Sequence, residues 1–242
     1  MNIENAYNQR TVLMLGEDAV ERLMRAHVLV VGAGGVGSYA IEALGRAGIG
    51  RLTIIDADAV AESNVNRQLP ALHSTVGIAK VEVMRNRLLD INPQCQVKAI
   101  EAFLTAEDAA TTLADLRPDF VIDAIDSVAP KVALIEACLR QKIKLISSMG
   151  AGGRLDPTQI RYADISETFH DGLARAVRQR LKKAGITKGV KVVFSTEQPR
   201  RSALTLTNEI ANKVSSFGTV SWLPSIFGLY LAAYAVNSLS RT

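Results

Sequence analysis

Cysteine is scarce: the 242-residue chain has two, Cys95 and Cys138, and neither stands in a CxxC pair. That excludes a disulfide framework and a cysteine-built zinc site, and it fits a reducing, cytoplasmic compartment. The three histidines, His27, His73 and His170, are scattered and match no metal-ligand spacing. His27 opens an apolar run and reads as structural; His170, beside a basic stretch, reads as a surface group. There is no internal repeat and no low-complexity tract. The opening MNIENAYNQR lacks the basic-then-apolar pattern of a secretory leader, so none is expected. Between Val214 and Ser240 there is no charged residue. That run is long enough to span a bilayer, but Pro224, Asn237, two glycines and six serines interrupt it. A break at Pro224 and a buried or interface helix over about 225–239 are expected, with a membrane anchor the less favoured reading.

Apolar residues make up 48% and charged residues 21%, enough for a buried core and too mixed for global disorder. The net charge of +4 is unevenly placed. Residues 172–201 hold nine Lys/Arg against one acid, Glu197, so that segment carries +8 and the remainder −4. Such a stretch is either a footprint for a polyanion or a solvated helix face.

Apolar runs predict strands at 27–32, 51–56, 95–101, 119–123 and 144–148. Helical periodicity fits 15–25, 37–47, 77–90, 106–115 and 129–142. Beyond Gly153 a strand at 159–162, a charged helix at 166–184 and a strand at 190–195 follow. The fold class is α/β: a Rossmann-like, doubly wound, mostly parallel sheet with a C-terminal α/β extension. A single domain over 1–242 is expected, its nucleotide-binding core about 10–150 and its extension about 151–242.

The run HVLVVGAGGVGS places Gly32, Gly34, Gly35 and Gly37 after a strand and at the opening of a helix. Glycines at this GxGxxG spacing permit a tight turn, close phosphate approach and helix–strand packing, with the helix N-terminus facing the anion. Asp56 ends the next strand and is placed to accept from ribose hydroxyls. The loop alone does not distinguish NAD from ATP. ATP brings more negative charge and Mg²⁺, so its site needs extra cations and an acid. Arg67 and Lys80 supply the cations, and Asp126 ends a third strand at the carboxyl edge where doubly wound sheets place ligands. Singly, the cations read as surface charges and Asp126 as a helix cap. Together they read as an ATP–Mg²⁺ site, which Asp58, Asn66, Gln68 and Ser127 join as candidate nucleotide residues.

GAGGVGS, the DxDxVxxSNxNRQ run, GxxKxExM and DAIDS together resemble the adenylating enzymes related to ubiquitin activation, over residues 10 to about 150. The resemblance implies ribose binding by Asp56, phosphate binding by Arg67 and Lys80, and Mg²⁺ on Asp126. It also implies a homodimer with composite sites, Arg10 reaching the partner subunit's ATP. Members that activate sulfur carriers usually hold two CxxC pairs and a reactive loop cysteine, which this chain lacks.

Residues 146–184, with GAGGRLDPTQI and DISET before the basic helix, are similar to the tRNA-modifying branch of that family that dehydrates threonylcarbamoyladenosine. VVFSTEQP and SFGTVSWLP extend the likeness over nearly the whole chain. Where some members carry a cysteine this chain reads NKVSSFG, and its linker from Gln198 to Val214 is short. The resemblance implies ATP-dependent adenylation of the threonyl carboxylate of the modified tRNA nucleoside. Ring closure by a nitrogen of the same substituent then follows. It implies tRNA contacts from Arg175, Arg178, Lys182 and Lys183, a structural Na⁺ or K⁺ near the turn at 150–153, and room for a sulfur-relay or redox partner protein. From the residues alone, the 150–153 turn reads as close-packed rather than as a second phosphate site. Three other readings are adenylation of a carrier protein ending in Gly-Gly, an NAD(P) oxidoreductase and a nucleotide-sensing RNA-binding module. The second leaves Arg67, Lys80 and Asp126 unexplained.

Overall fold

The structure is a computed structural model, described over residues 6–206 and 215–241. Positions 207–214 of the expected linker and of NKVSSFG lie outside it. The first five strands are β1 His27–Val31, β2 Arg51–Asp56, β3 Gln96–Glu101, β4 Phe120–Asp123 and β5 Lys144–Ser148. They pair in parallel, and β6 Ile160–Asp164 and β7 Lys191–Ser195 complete a seven-stranded sheet of order β3-β2-β1-β4-β5-β7-β6. Only β6 runs antiparallel, along the edge beside β7. The strand order reverses between β1 and β4, the crevice where sheets of this kind hold ligands. The doubly wound parallel core and its α/β extension are thus as expected. Two short strands, β8 Leu204–Leu206 and β9 Ser215–Phe217, pair beside it.

Alternation along each strand builds two cores. Val28 and Val30 face one layer with Ile41, Leu44, Met84 and Phe227, while Leu29 and Val31 face the other with Leu113, Ile135 and Val177. The first layer comprises α3 Gly37–Arg46, α4 Lys80–Ile91 and α8 Trp222–Ser240. The second comprises α5 Ala109–Leu116, α6 Val128–Arg140 and α7 Gly172–Lys183.

Three expected elements differ. The helix expected at 15–25 is α2 Glu17–Arg25, and an unexpected α1 Gln9–Leu15 precedes it, parted from it at Gly16, whose φ of 86° is left-handed. The helix expected at 166–184 starts only at Gly172. Asp164 caps a preceding 3₁₀ turn, and Asp171 caps α7 itself by accepting from Ala174 N at 2.8 Å. Pro224 does not break α8. It is the third residue of that helix, where a missing N–H forfeits no intrahelical bond.

By length and composition α8 is apolar enough to cross a membrane. Its Leu223, Phe227, Leu231 and Ala235 are fully buried, and a Cβ at Gly228 would lie 2.2 Å from Val36 O. The helix therefore lies directly on the start of α3, and its apolarity is that of a core helix.

Candidate active site

At Gly32 the chain turns with φ of 96°, and an added Cβ would meet Ala124 O at 2.8 Å. At Gly37 a Cβ would lie 1.7 Å from Gly32 O. These two glycines therefore let α3 start against the ends of β1 and β4. Ser38 N donates to Gly34 O at 3.1 Å, but no side chain caps α3 at Val36 and its first turn holds no acid, so this helix start leaves room for an anion in the crevice. Gly34 is open: its Cβ would meet nothing closer than Gln68 Nε2 at 3.8 Å.

Asp56, ending β2, clamps this loop. Its Oδ2 accepts from Ala33 N at 2.6 Å and its Oδ1 from Asp58 N at 2.8 Å. Burial raises its pKa, against the pull of these amides and of Lys80. Lys80 is buried, and its Nζ donates to Asp58 Oδ2 at 2.6 Å while Asp58 stays exposed. Both residues thus stand at one place beside the strand ends.

Arg67 sits on the turn after β2, its stem 3.5 Å from where a Cβ on Gly35 would be. Its Nη1 donates to Ser63 O and Asn66 Oδ1, each at 2.8 Å. It is half-buried, burial pulls its pKa down, and among the described residues it makes no ion pair. A partly desolvated guanidinium of this kind is a seat for an anion. Gln68 Oε1, next to it, is buried without a hydrogen-bond partner among the described residues. Asn66 also reaches the C-terminal segment, its Nδ2 donating to Thr219 O at 3.2 Å.

Asp126 is exposed on the loop after β4, where Ser127 Oγ donates to its Oδ1 at 3.4 Å. Ser127 occupies the N-cap position of α6 without a side-chain capping bond. Among the described residues no three His, Cys, Asp or Glu side chains gather as a metal cluster. A cation on Asp126 therefore needs further oxygens, which nucleotide phosphates supply.

Arg10 is not brought to this crevice. Two residues earlier, Asn8 packs on Gly48, beyond the far end of α3 from the glycine loop. Arg175, Lys182 and Lys183 are exposed on α7. Arg178, expected to contact tRNA with them, turns its Nη1 inward to Thr168 Oγ1 at 2.6 Å and Thr168 O at 3.0 Å.

The 150–153 turn is close-packed, as its residues suggest. Arg154, 3% exposed, donates to the carbonyls of Gly150, His170 and Glu197. Asp171 accepts from Gly150 N at 2.9 Å. Neither cysteine offers a thiolate: burial pushes Cys95 up to about 11 and Cys138 up to about 12.

One cluster escaped the sequence reading. Asp123 and Lys131 form a fully buried ion pair at 2.7 Å, joined by Ser147. Its one sequence signal is a lone cation in the otherwise apolar opening of α6, VAPKVAL.

The profile of the ThiF family matches residues 7–242. The chain is 43% identical over 239 residues to the tRNA threonylcarbamoyladenosine dehydratase of Bacillus subtilis, across 96% of this chain and 94% of that protein. The crystal structure of Escherichia coli tRNA N6-threonylcarbamoyladenosine dehydratase in complex with ATP aligns with TM-score 0.88 at 40% identity. That alignment covers 100% of this chain and 98% of the other. Likeness to the adenylyltransferase and sulfurtransferase MOCS3 of Culex quinquefasciatus, 39% over 142 residues, reaches only 58% of this chain and 32% of that protein.

Proposed function

Since the chain belongs to the ThiF family, we propose a reaction for the crevice between β1 and β4: ATP-dependent dehydration of N6-threonylcarbamoyladenosine in tRNA. The enzyme is tRNA-modifying and uses ATP. The observation that carries the reading is Arg67, a half-buried cation without an ion pair among the described residues, set beside a glycine loop and the start of α3, which no side chain caps. Those groups fit the phosphates of a nucleoside triphosphate, and Gln68 Oε1, without a partner among the described residues, can accept from a hydroxyl or amino group of the same ligand.

The chemistry follows from the substrate. A carboxylate is a poor electrophile. Its oxygen attacks the α-phosphorus of ATP, pyrophosphate leaves, and a mixed anhydride forms. A nitrogen of the same substituent attacks the activated carbonyl, loses its proton and expels AMP, which carries away the carboxylate oxygen. The second step is unimolecular, with an effective molarity of about 10⁵ M or more. No enzyme nucleophile is needed, in keeping with two buried, protonated cysteines.

In this reading Arg67 neutralises phosphate charge, and Lys80 exchanges Asp58 for a phosphate oxygen. Asp126 holds Mg²⁺ together with the phosphates, and Asp56 adds ribose hydroxyls to the amides it already binds. Arg175, Lys182 and Lys183 track the tRNA backbone.

We extend the proposal to a cytoplasmic homodimer formed from one adenylating unit per chain. Leu13 and Met14 on α1 are 87% and 83% exposed, large apolar groups that a second copy would cover. Arg10, on the same helix, is then carried toward the partner subunit's nucleotide. We do not extend it to Na⁺ or K⁺, because Arg154 already takes the carbonyls of Gly150, His170 and Glu197. A sulfur-relay partner would meet no accessible thiol. Incubation with modified tRNA, ATP and Mg²⁺ tests the reading: AMP and pyrophosphate should appear only when the modified tRNA is present. Release that depends instead on a carrier protein ending in Gly-Gly would favour the sulfur-carrier alternative.

A further inference from the structure

Lys131 is fully buried, and no step above uses it. It stands in the first turn of α6, and the three hydrogens of its Nζ meet three acceptors. These are Asp123 Oδ2 at 2.7 Å, Ser147 Oγ at 3.1 Å and Ser148 O at 3.0 Å. Ser147 Oγ donates to the same Asp123 Oδ2 at 2.6 Å, and Asp123 Oδ1 accepts from Ile125 N at 3.0 Å. Every polar group of the cluster is thus satisfied. A buried ion pair of this kind is often no more stabilising than a well-packed apolar pair. Stability alone therefore does not account for it.

Its place in the fold does. Asp123 closes β4 and opens the 124–127 loop, which packs on Gly32 through Ala124 and carries Asp126. Ser147 and Ser148 close the adjacent strand β5 and lead into the 149–153 turn, whose Gly150 is held to the N-cap of the basic helix α7. One loop belongs to the nucleotide side and the other to the side that faces α7. Lys131 bonds to the root of both. The pair also absorbs the charge of Asp123, while Asp126 is left exposed at the carboxyl edge.

We propose that Lys131 is a positioning residue for adenyl transfer. From its buried seat it sets the spacing between the 124–127 loop and the 149–153 turn, and so between ATP and the incoming carboxylate. The proposal rests on the adenylation reading above. In-line attack tolerates little misplacement: an error of about 1 Å costs on the order of 100-fold in rate.

Two variants test it. Asp123→Asn/Lys131→Met removes both charges together and leaves no unpaired ion in the core; Ser147→Ala removes one tie and is milder. For each, the melting temperature, the ATP dissociation constant, and kcat and KM for AMP formation with modified tRNA are measured. In the double variant kcat should fall about 10- to 100-fold with ATP affinity unchanged. Ser147→Ala should show a smaller fall of the same kind, with melting close to wild type. A lowered melting temperature with kcat intact well below it overturns the proposal. So does an intact kcat in Ser147→Ala if the double variant does not fold. Wild-type protein that forms no AMP overturns the adenylation reading and this role with it. An active wild type with equally active variants overturns the positioning role alone.

Discussion

Alanine at two glycines of one loop should separate ligand binding from folding. At Gly34 an added Cβ meets only Gln68 Nε2, at 3.8 Å, and φ lies outside the left-handed region. Gly34→Ala should therefore leave stability unchanged or raise it by about 0.4–1 kcal/mol, through a less mobile unfolded chain. Its methyl stands where phosphate oxygens approach the backbone. ATP affinity should drop about 10-fold or more, about 1.4 kcal/mol. At Gly37 the Cβ lies 1.7 Å from Gly32 O, 2.8 Å from Gly32 C and 3.2 Å from Ala124 Cβ. Backbone cannot yield as a side-chain tip can, so the overpacking cost sits at the upper end of its usual range, about 3 kcal/mol. At about 2–4 °C per kcal/mol for a chain of this size, Gly37→Ala should melt about 6–12 °C lower. Thermal melts and titration with a fluorescent ATP analogue read both effects. Gly34→Ala binding ATP as wild type does would show that phosphate does not rest on this loop. Unchanged melting of Gly37→Ala would refute the close approach of α3 to β1.

Asp126→Ala, at an exposed position, should keep the fold and lose Mg²⁺-dependent AMP formation about 100-fold, the scale of losing one electrostatic stabiliser; retained activity removes Asp126 from the site. Replacing Arg175, Lys182 and Lys183 together with Ala should flatten the slope of log K against log salt for tRNA by about 0.7–0.9 per lost phosphate contact. Arg178→Ala should leave that slope alone and cost about 1 kcal/mol of stability, because its hydrogen bonds run to Thr168. Burial, with Arg51 adding to it, lowers the pKa of His27 from 6.5, so the native state binds fewer protons than the unfolded state. Stability should therefore fall as pH drops below about 6.5, by at most about 1.4 kcal/mol per pH unit, until the folded pKa is passed. Urea melts across that range should be flatter for His27→Gln, and an equally steep profile would assign the loss to another group.

The sheet was legible because its central strands, HVLVV and FVID among them, are apolar runs and its first turn carries spaced glycines, two signals that local sequence expresses directly. Arg67, Lys80 and Asp126 were legible as charges set one at a time after successive elements. What those charges do inside the chain was not. Lys80 meets Asp58 only because the chain folds back from Ala79 onto Ala59. Arg178 points inward because the 165–168 turn packs beneath α7. Ser147 joins the Asp123–Lys131 pair only because β5 lies beside β4, a contact with no periodic trace in either segment. Pro224 misled for a related reason. A proline ends a helix or begins one depending on its position in the first turn, and the uncharged run around it does not say where that turn falls. Arg10 lies on α1, where Asn8 two residues earlier packs on Gly48 away from the glycine loop, a placement that local sequence does not express.

The central claim is that ATP is spent on removing one water from a modified nucleoside in tRNA. The most direct measurement is the mass of that nucleoside, released from threonylcarbamoyl-modified tRNA after incubation with the protein, ATP and Mg²⁺. A mass lower by one water, with one AMP formed per nucleoside converted and no change when ATP is omitted, is the predicted result. An unchanged nucleoside mass with folded, ATP-binding protein would contradict the account.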